Sequence, residues 1–163
     1  MRKEHQFEPV FDKSSEILIL GTFPSRASRQ SGFYYGHPKN QFWRVLAKLT
    51  GSPVPQTVLE KKALLLTNRI ALWDVIQSCE IEGSSDSSIK NVIPNDLGNL
   101  LQLSRIGRIF ANGKKAAALY KRYMLPHLGR EIIELPSTSP ANARYTMDKL
   151  IDAWRVIQEE ARK

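Results

Sequence analysis

Four times along this chain a short apolar run stops at a turn signal and gives way to a helix-patterned segment, and this alternation limits the possible folds more than any other feature. The first unit carries the most information. Ile17, Leu18, Ile19 and Leu20 form an unbroken apolar run suited to a buried strand, and Gly21 and Pro24 then break it into a polar and aromatic loop. Phe42, Val45, Leu46 and Leu49 recur at helical spacing, with Pro38 ahead of the first turn and Gly51 just past the last, so the loop leads into a helix. After a connector at Ser52 to Pro55, a second helix is expected over 57–68, opened by Thr57 and Glu60 in capping-box spacing. Ile70 to Ile76 is short, apolar and partly β-branched and reads as the second strand.

The third strand is Arg108 to Asn112, followed by Gly113 and a helix over 114–123, and the fourth is Glu131 to Leu135. Ser139 as N-cap and Pro140 at the first helical position then open a last helix with Met147, Leu150, Ile151 and Trp154 as its buried stripe. Between the second and third units, residues 77–88 show no periodicity and contain Gly83-Ser84-Ser85, so they read as a loop, a mobile lid or a plain connection. Pro94 stands where a helix with its body at Asn95 to Leu103 would begin. Residues 1–15 read as an N-terminal arm that packs Phe7, Val10 and Phe11 onto the rest.

Strand-then-helix units in series predict an α/β fold, a three-layer α/β/α sandwich with a central four-stranded parallel sheet. The loops at 21–40, 77–88, 112–113 and 136–142 then share the carboxyl edge of the sheet, where open α/β sheets bind ligands. At 163 residues the whole chain, 1–163, has the length of a single domain able to bury a continuous core.

The 24 Lys and Arg against 16 Asp and Glu give a formal charge of +8, and their distribution matters more than the total. Between Gly21 and Leu59 there are five basic residues (Arg26, Arg29, Lys39, Arg44, Lys48) and no acidic one, and between Leu97 and Arg130 there are seven and again none. Such segments suit a phosphate backbone, or are the solvated face of a generally basic protein. The lone Cys79 excludes a disulfide framework, a four-cysteine zinc site and a cysteine-held iron–sulfur cluster. The polar N-terminus is no signal peptide, and no apolar run approaches the roughly 18 residues of a membrane span, so a cytoplasmic location away from membranes is expected.

The phosphate loops of nucleotide hydrolases and dinucleotide-binding proteins are missing, as is the GxSxG elbow that would make a nucleophile of Ser25, Ser28 or Ser137. His37 has no metal-ligand partners grouped nearby. The loops offer instead amides, hydroxyls and aromatic faces: Asn40, Asn112 and Asn142, Ser25 and Ser137, and Phe23, Phe33, Tyr34 and Tyr35. That set suits stacking and hydrogen-bonding a neutral heterocycle beside a phosphate backbone. Phe42 and Trp43 are expected in the core; Phe33 and Tyr34 stand open between DNA contact and packing. On the residues alone, Asn40 is either a site amide or a helix-terminal amide bonded only to backbone.

GTFPS at Gly21 to Ser25, HPKNQFW at His37 to Trp43, NGKKA at Asn112 to Ala116 and LPSTSPANA at Leu135 to Ala143 follow one another as the motifs of the uracil-DNA glycosylase superfamily do, and the chain resembles that superfamily over most of its length. Phe23 stands where the uracil and thymine enzymes typically carry Asn or a nearby polar residue, and the second motif has Leu135 before Pro136 in place of a His. GTFPS, YYGHPKN and STSPANA together resemble the hypoxanthine-DNA glycosylase branch. The resemblance implies a uracil-DNA glycosylase-like fold and a monofunctional enzyme that flips a deaminated adenine, hypoxanthine, out of DNA and cleaves its N-glycosidic bond with water. It implies Asn40 as the catalytic residue, and Phe23, Tyr35, Asn112 and Ser137 as base-binding residues. Ser25, Ser28, Lys114 and Ser139 would meet phosphate, and Asn142 would fill the gap left by the base or cap a helix. The expected partner is double-stranded DNA carrying a deaminated base, met by a monomer with no metal and no cofactor. The alternatives are a glycosylase for uracil or xanthine and a catalytically silent DNA-binding module of this fold.

Overall fold

The computed structural model describes residues 2–5, 7–82, 88–142 and 144–161. Its strands are β1 (Arg2–Glu4), β2 (Ile17–Gly21), β3 (Ile70–Asp74), β4 (Ile76–Glu80), β5 (Lys90–Pro94), β6 (Arg108–Asn112) and β7 (Ile132–Leu135). The helices are α1 (Arg26–Ser31), α2 (Phe42–Thr50), α3 (Val58–Thr67), α4 (Gly98–Gln102), α5 (Lys114–Tyr123), α6 (Leu125–Leu128), α7 (Met147–Trp154) and α8 (Val156–Ala161).

Four strands form the expected parallel sheet in the order β3-β2-β6-β7. Every residue of β2 is buried, because the strand is central and covered on both faces, and this is why its sequence is a solid apolar run rather than an alternation. On one face Ile17 and Ile19 pack against Phe42, Val45 and Leu46 of α2, Leu64 and Leu65 of α3, and Leu150 and Trp154 of α7. On the other, Leu18 and Leu20 meet Leu97 and Leu100, Leu119 and Tyr120 of α5, and Ile76 and Cys79 of β4. The two clusters make the outer layers of the sandwich. Thr57 caps α3 with the full capping box to Glu60, and Gly51 closes α2 in the left-handed conformation, both at the positions the sequence marks.

A second sheet corrects part of the sequence reading. β1, β4 and β5 form an antiparallel three-stranded sheet in the order β1-β4-β5, so residues 77–80 are strand, not loop, and the arm is a structural strand. The strand hides in the sequence because register shifts between Ile76 and Ser78 and again between Ser78 and Glu80 break the period of two. Gly83-Ser84-Ser85 lies outside the described residues. Pro94 ends β5 instead of opening a helix, and the helix that follows is only Gly98–Gln102. Proline suits that sheet edge as well as it suits a first helical turn. Val10 bridges antiparallel to Leu72, which seats the arm beside β3.

Two further differences lie next to the site. The loop after β2 contains the short helix α1, capped by Ser25. The last helix begins later than expected, at Met147 with Thr146 as its cap, because Ser139 and Pro140 sit in a turn of their own. There the Ala141 N–H donates to Ser139 Oγ (3.2 Å) and the Asn142 N–H to the Ser139 carbonyl (3.0 Å). Proline presets its backbone for such a turn as readily as for a helix start. Among the described residues no helix is long and apolar enough to cross a membrane.

Candidate active site

The carboxyl ends of β2, β6 and β7 open into a cavity of about 400 Å³, lined chiefly by Phe23, Tyr35, Asn40, Asn112, Ser137 and Thr138. Ser25, Ser28 and Ser139 also border it, as do Gly21 and Ile81, and no charged side chain is among its lining residues.

Asn40 is placed by a tight turn and by a distant loop. Its N–H donates to the His37 carbonyl (2.9 Å), Arg44 Nη2 donates to its carbonyl (3.3 Å), and the Gln41 N–H donates to the Thr138 carbonyl (3.0 Å). The side-chain Oδ1 accepts from the Phe42 N–H (2.9 Å) and from Thr138 Oγ1 (2.8 Å). Asn40 therefore holds the start of α2 and lines the cavity at once, and it bonds a side chain as well as backbone. Asn112, at the end of β6, exchanges two hydrogen bonds with Thr138: Asn112 Nδ2 donates to Thr138 Oγ1 (3.0 Å), and the Thr138 N–H donates to Asn112 Oδ1 (3.0 Å). Trp154 Nε1 holds the Pro136 carbonyl (2.9 Å), which pins this loop to α7.

Tyr35 has a left-handed backbone, φ 53°, that L residues rarely adopt. One face of its ring stacks on Phe42, with centroids 4.1 Å apart and planes inclined by 22°, which closes that face to a ligand. Its hydroxyl is buried without a hydrogen-bond partner. Burial, and then the Asp74 carboxylate, raise its pKa far above the ordinary tyrosine value, while the nearby Asn112 amide lowers it, without a hydrogen bond of acceptable geometry. The ring stays neutral at any working pH.

Behind Gly21 lies a pair the sequence reading passed over. His5 Nε2 is 2.8 Å from Asp74 Oδ2, with side chains only 3% and 5% exposed. Gly21 is required here, because a Cβ would collide with Asp74 Oδ1 and come within 2.7 Å of the Tyr35 hydroxyl.

The other expected DNA contacts are placed unevenly. Ser25 Oγ caps α1 through the Ser28 N–H (3.1 Å), and Ser28 is buried with its Oγ accepting from the Gly36 N–H (3.0 Å), so Ser28 braces the loop from within. Ser137 Oγ accepts from the Ser139 N–H (3.1 Å). Lys114 is exposed at the start of α5 and is not a lining residue. Asn142 donates to the Ser137 carbonyl (3.0 Å) and borders a neighbouring groove with Lys39, Arg44 and Tyr145. Phe33 and Tyr34 are buried, which settles them as packing, and Phe42 and Trp43 are in the core as expected. Thr138 was missed: it is 1% exposed and central to the polar contacts, yet it stands between two serines and nothing local marks it. Among the described residues no group of three or more His, Cys, Asp or Glu is placed to hold a metal ion.

The fold and cavity define an α/β/α protein with a neutral, amide-lined ligand site at the carboxyl edge of its parallel sheet. The profile of the Uracil DNA glycosylase superfamily matches residues 8–158, and the chain belongs to that superfamily, whose members are DNA glycosylases. It is 39% identical over 153 residues to the Hypoxanthine DNA glycosylase of Methanosarcina acetivorans, covering 93% of this chain and 95% of the relative. It is 35% identical over 144 residues to the Hypoxanthine DNA glycosylase of Methanosarcina barkeri, covering 87% and 90%. A solution NMR structure of a proposed uracil DNA glycosylase from Methanosarcina acetivorans superposes with a TM-score of 0.83 at 34% identity, over 100% of both chains.

Proposed function

We propose that this DNA glycosylase excises hypoxanthine from double-stranded DNA, with Asn40 as the catalytic residue. The observation that carries this is the chemistry of the cavity: uncharged amides and hydroxyls, two aromatic rings, and Asn40 held among them. A deaminated adenine pairs weakly with thymine and is less costly to extrude than a paired adenine. Phe23 and Tyr35 flank the extruded purine. Asn112 has a second N–H beyond its bond to Thr138, beside the Tyr35 hydroxyl, and in the proposed complex that donor turns to O6; the amino group that adenine carries at this position would meet it donor to donor. The Ser137 hydroxyl donates to the ring.

In the reaction the C1′–N9 bond breaks and its electron pair leaves with the base. An oxocarbenium-like sugar forms and water oxygen bonds to C1′. The water's proton passes to solvent, and the departing base takes one up. Asn40 cannot accept a proton near neutral pH, so its part is to place the water. No lysine is among the lining residues, so none attacks C1′ and the product is an intact abasic site. Ser25, Ser139 and Lys114 meet the phosphates, and Asn142 enters the duplex beside the gap.

The test is a single-turnover assay on duplexes carrying hypoxanthine, uracil or xanthine, with the native protein and Asn40→Ala. Hypoxanthine should be released fastest, and the variant should be slower by about 10²–10³-fold. Faster release of uracil or xanthine reassigns the substrate. Binding without release of any base leaves a silent DNA-binding module.

A further inference from the structure

We infer that Asn40 works as a hydrogen-bond donor through Nδ2, and that Thr138 is the positioning residue that enforces this; the inference rests on the reading of Asn40 as the catalytic residue. A carbonyl oxygen has two lone pairs, and both of those on Asn40 Oδ1 are engaged, by the Phe42 N–H at 2.9 Å and by Thr138 Oγ1 at 2.8 Å. The amide cannot turn over, because its NH2 would then face the Phe42 N–H donor to donor. The direction of the Thr138 hydroxyl is equally fixed. The Thr138 N–H donates to Asn112 Oδ1, which orients the Asn112 amide so that its Nδ2 donates to Thr138 Oγ1. The one hydroxyl proton of Thr138 is left for Asn40 Oδ1. Polarity thus runs one way along Asn112, Thr138 and Asn40.

What remains is Asn40 Nδ2, which among the described residues has no hydrogen-bond partner and is not a buried orphan; the only buried side-chain atom without a partner among them is the Tyr35 hydroxyl. Asn40 lines the cavity, so an N–H donor is what it offers there. That donor grips a lone pair of the attacking water and directs the other at C1′. A donor makes water a slightly weaker nucleophile, but a transition state with an oxocarbenium-like sugar asks little of nucleophile strength and much of its placement. Thr138 borders the cavity but is 1% exposed, and its hydroxyl is engaged at both ends, by Asn112 and by Asn40, so it acts through Asn40. Its hydroxyl sets which end of the Asn40 amide faces the cavity.

The test is single-turnover excision from hypoxanthine DNA, with DNA affinity measured in parallel. Thr138→Val keeps the shape and removes the hydroxyl; it should slow excision by about 10–100-fold while the Kd for DNA stays within about 2-fold. Thr138→Ser should recover most of the rate. In an Asn40→Ala background Thr138→Val should add no further loss. A native rate for Thr138→Val, or the same further loss in the Asn40→Ala background, overturns the positioning role. Asn40→Asp keeps both acceptors but has no donor, and carries the test even if Thr138→Val does not fold. It should be about as slow as Asn40→Ala, and a native rate overturns the donor assignment. Should Asn40→Ala itself excise at the native rate, the reading of Asn40 as catalytic fails, a result distinct from the others.

Discussion

Two cavities of almost equal size lie at opposite ends of the parallel sheet, about 400 Å³ at the carboxyl edge and about 410 Å³ at the amino edge. The amino-edge cavity is bordered by Ile106, Gly107, Arg108, Arg130 and Glu131, and its polar groups are long charged side chains. Arg130 spends one of its nitrogens on the Ile106 carbonyl at 2.7 Å. At the carboxyl edge the polar groups are short, neutral and locked to one another, and they come from two loops and the end of β6. Volume therefore does not distinguish the two; pre-arrangement does. Short amides fixed by their neighbours keep their hydrogen-bonding direction when a ligand enters, whereas long solvated side chains must be ordered first.

The sharpest break between the two edges is expected from Asn40→Ala, with its loss of about 10²–10³-fold in single-turnover rate and a loss of about 1–2 kcal/mol in thermal unfolding, because the Phe42 N–H and the buried Thr138 hydroxyl lose their acceptor. A second contrast comes from alkaline pH. Burial raises the pKa of Tyr34 and Tyr35, so the folded chain keeps protons that the unfolded chain loses near pH 10. The stability they contribute is complete below that pH and declines above it, by about 1.4 kcal/mol per pH unit for each tyrosine. Tyr35→Phe should remove its share of that slope in chemical denaturation and cost nothing at pH 7, since its hydroxyl has no partner to lose. Gly21→Ala, which drives a methyl into Asp74 and Tyr35, should destabilise by about 1–3 kcal/mol in the same experiment.

Smaller effects complete the comparison. Lys114→Ala should weaken DNA binding a few-fold whatever the lesion and reduce the salt slope by about one, as loss of a phosphate contact does. Arg130→Ala, at the opposite edge, should leave excision unchanged and cost about 1 kcal/mol in thermal unfolding through the lost bond to Ile106. Impaired excision by Arg130→Ala would mean that the two ends of the sheet are coupled.

Much of this was legible before any coordinates. Phe23, Tyr35, Asn40, Asn112 and Ser137 were drawn from four segments of sequence and border one cavity. Strands β2, β3 and β6 were legible because each buries a run of apolar residues, and burial on both faces writes itself as a run. The antiparallel sheet was not: β4 alternates imperfectly across its register shifts, and its partner β1 is three polar residues from the arm. The roles of individual atoms were harder still. Tyr35 reads as a stacking ring, yet Phe42 occupies one of its faces and its hydroxyl faces inward.

Read alone, the chain specifies the parallel sheet and the edge at which the site lies, because apolar runs and turn residues act over a few positions and leave a local record, and its motif resemblance adds most of the residues that line the cavity. Folding in three dimensions was needed to close a second sheet with the arm and to bring Thr138 against Asn40 and Asn112. Thr138 and Asn40 are 98 residues apart, and a hydrogen bond across that distance leaves no periodic trace in either segment. Its direction is set by the Phe42 and Asn112 groups that folding brings to the two ends.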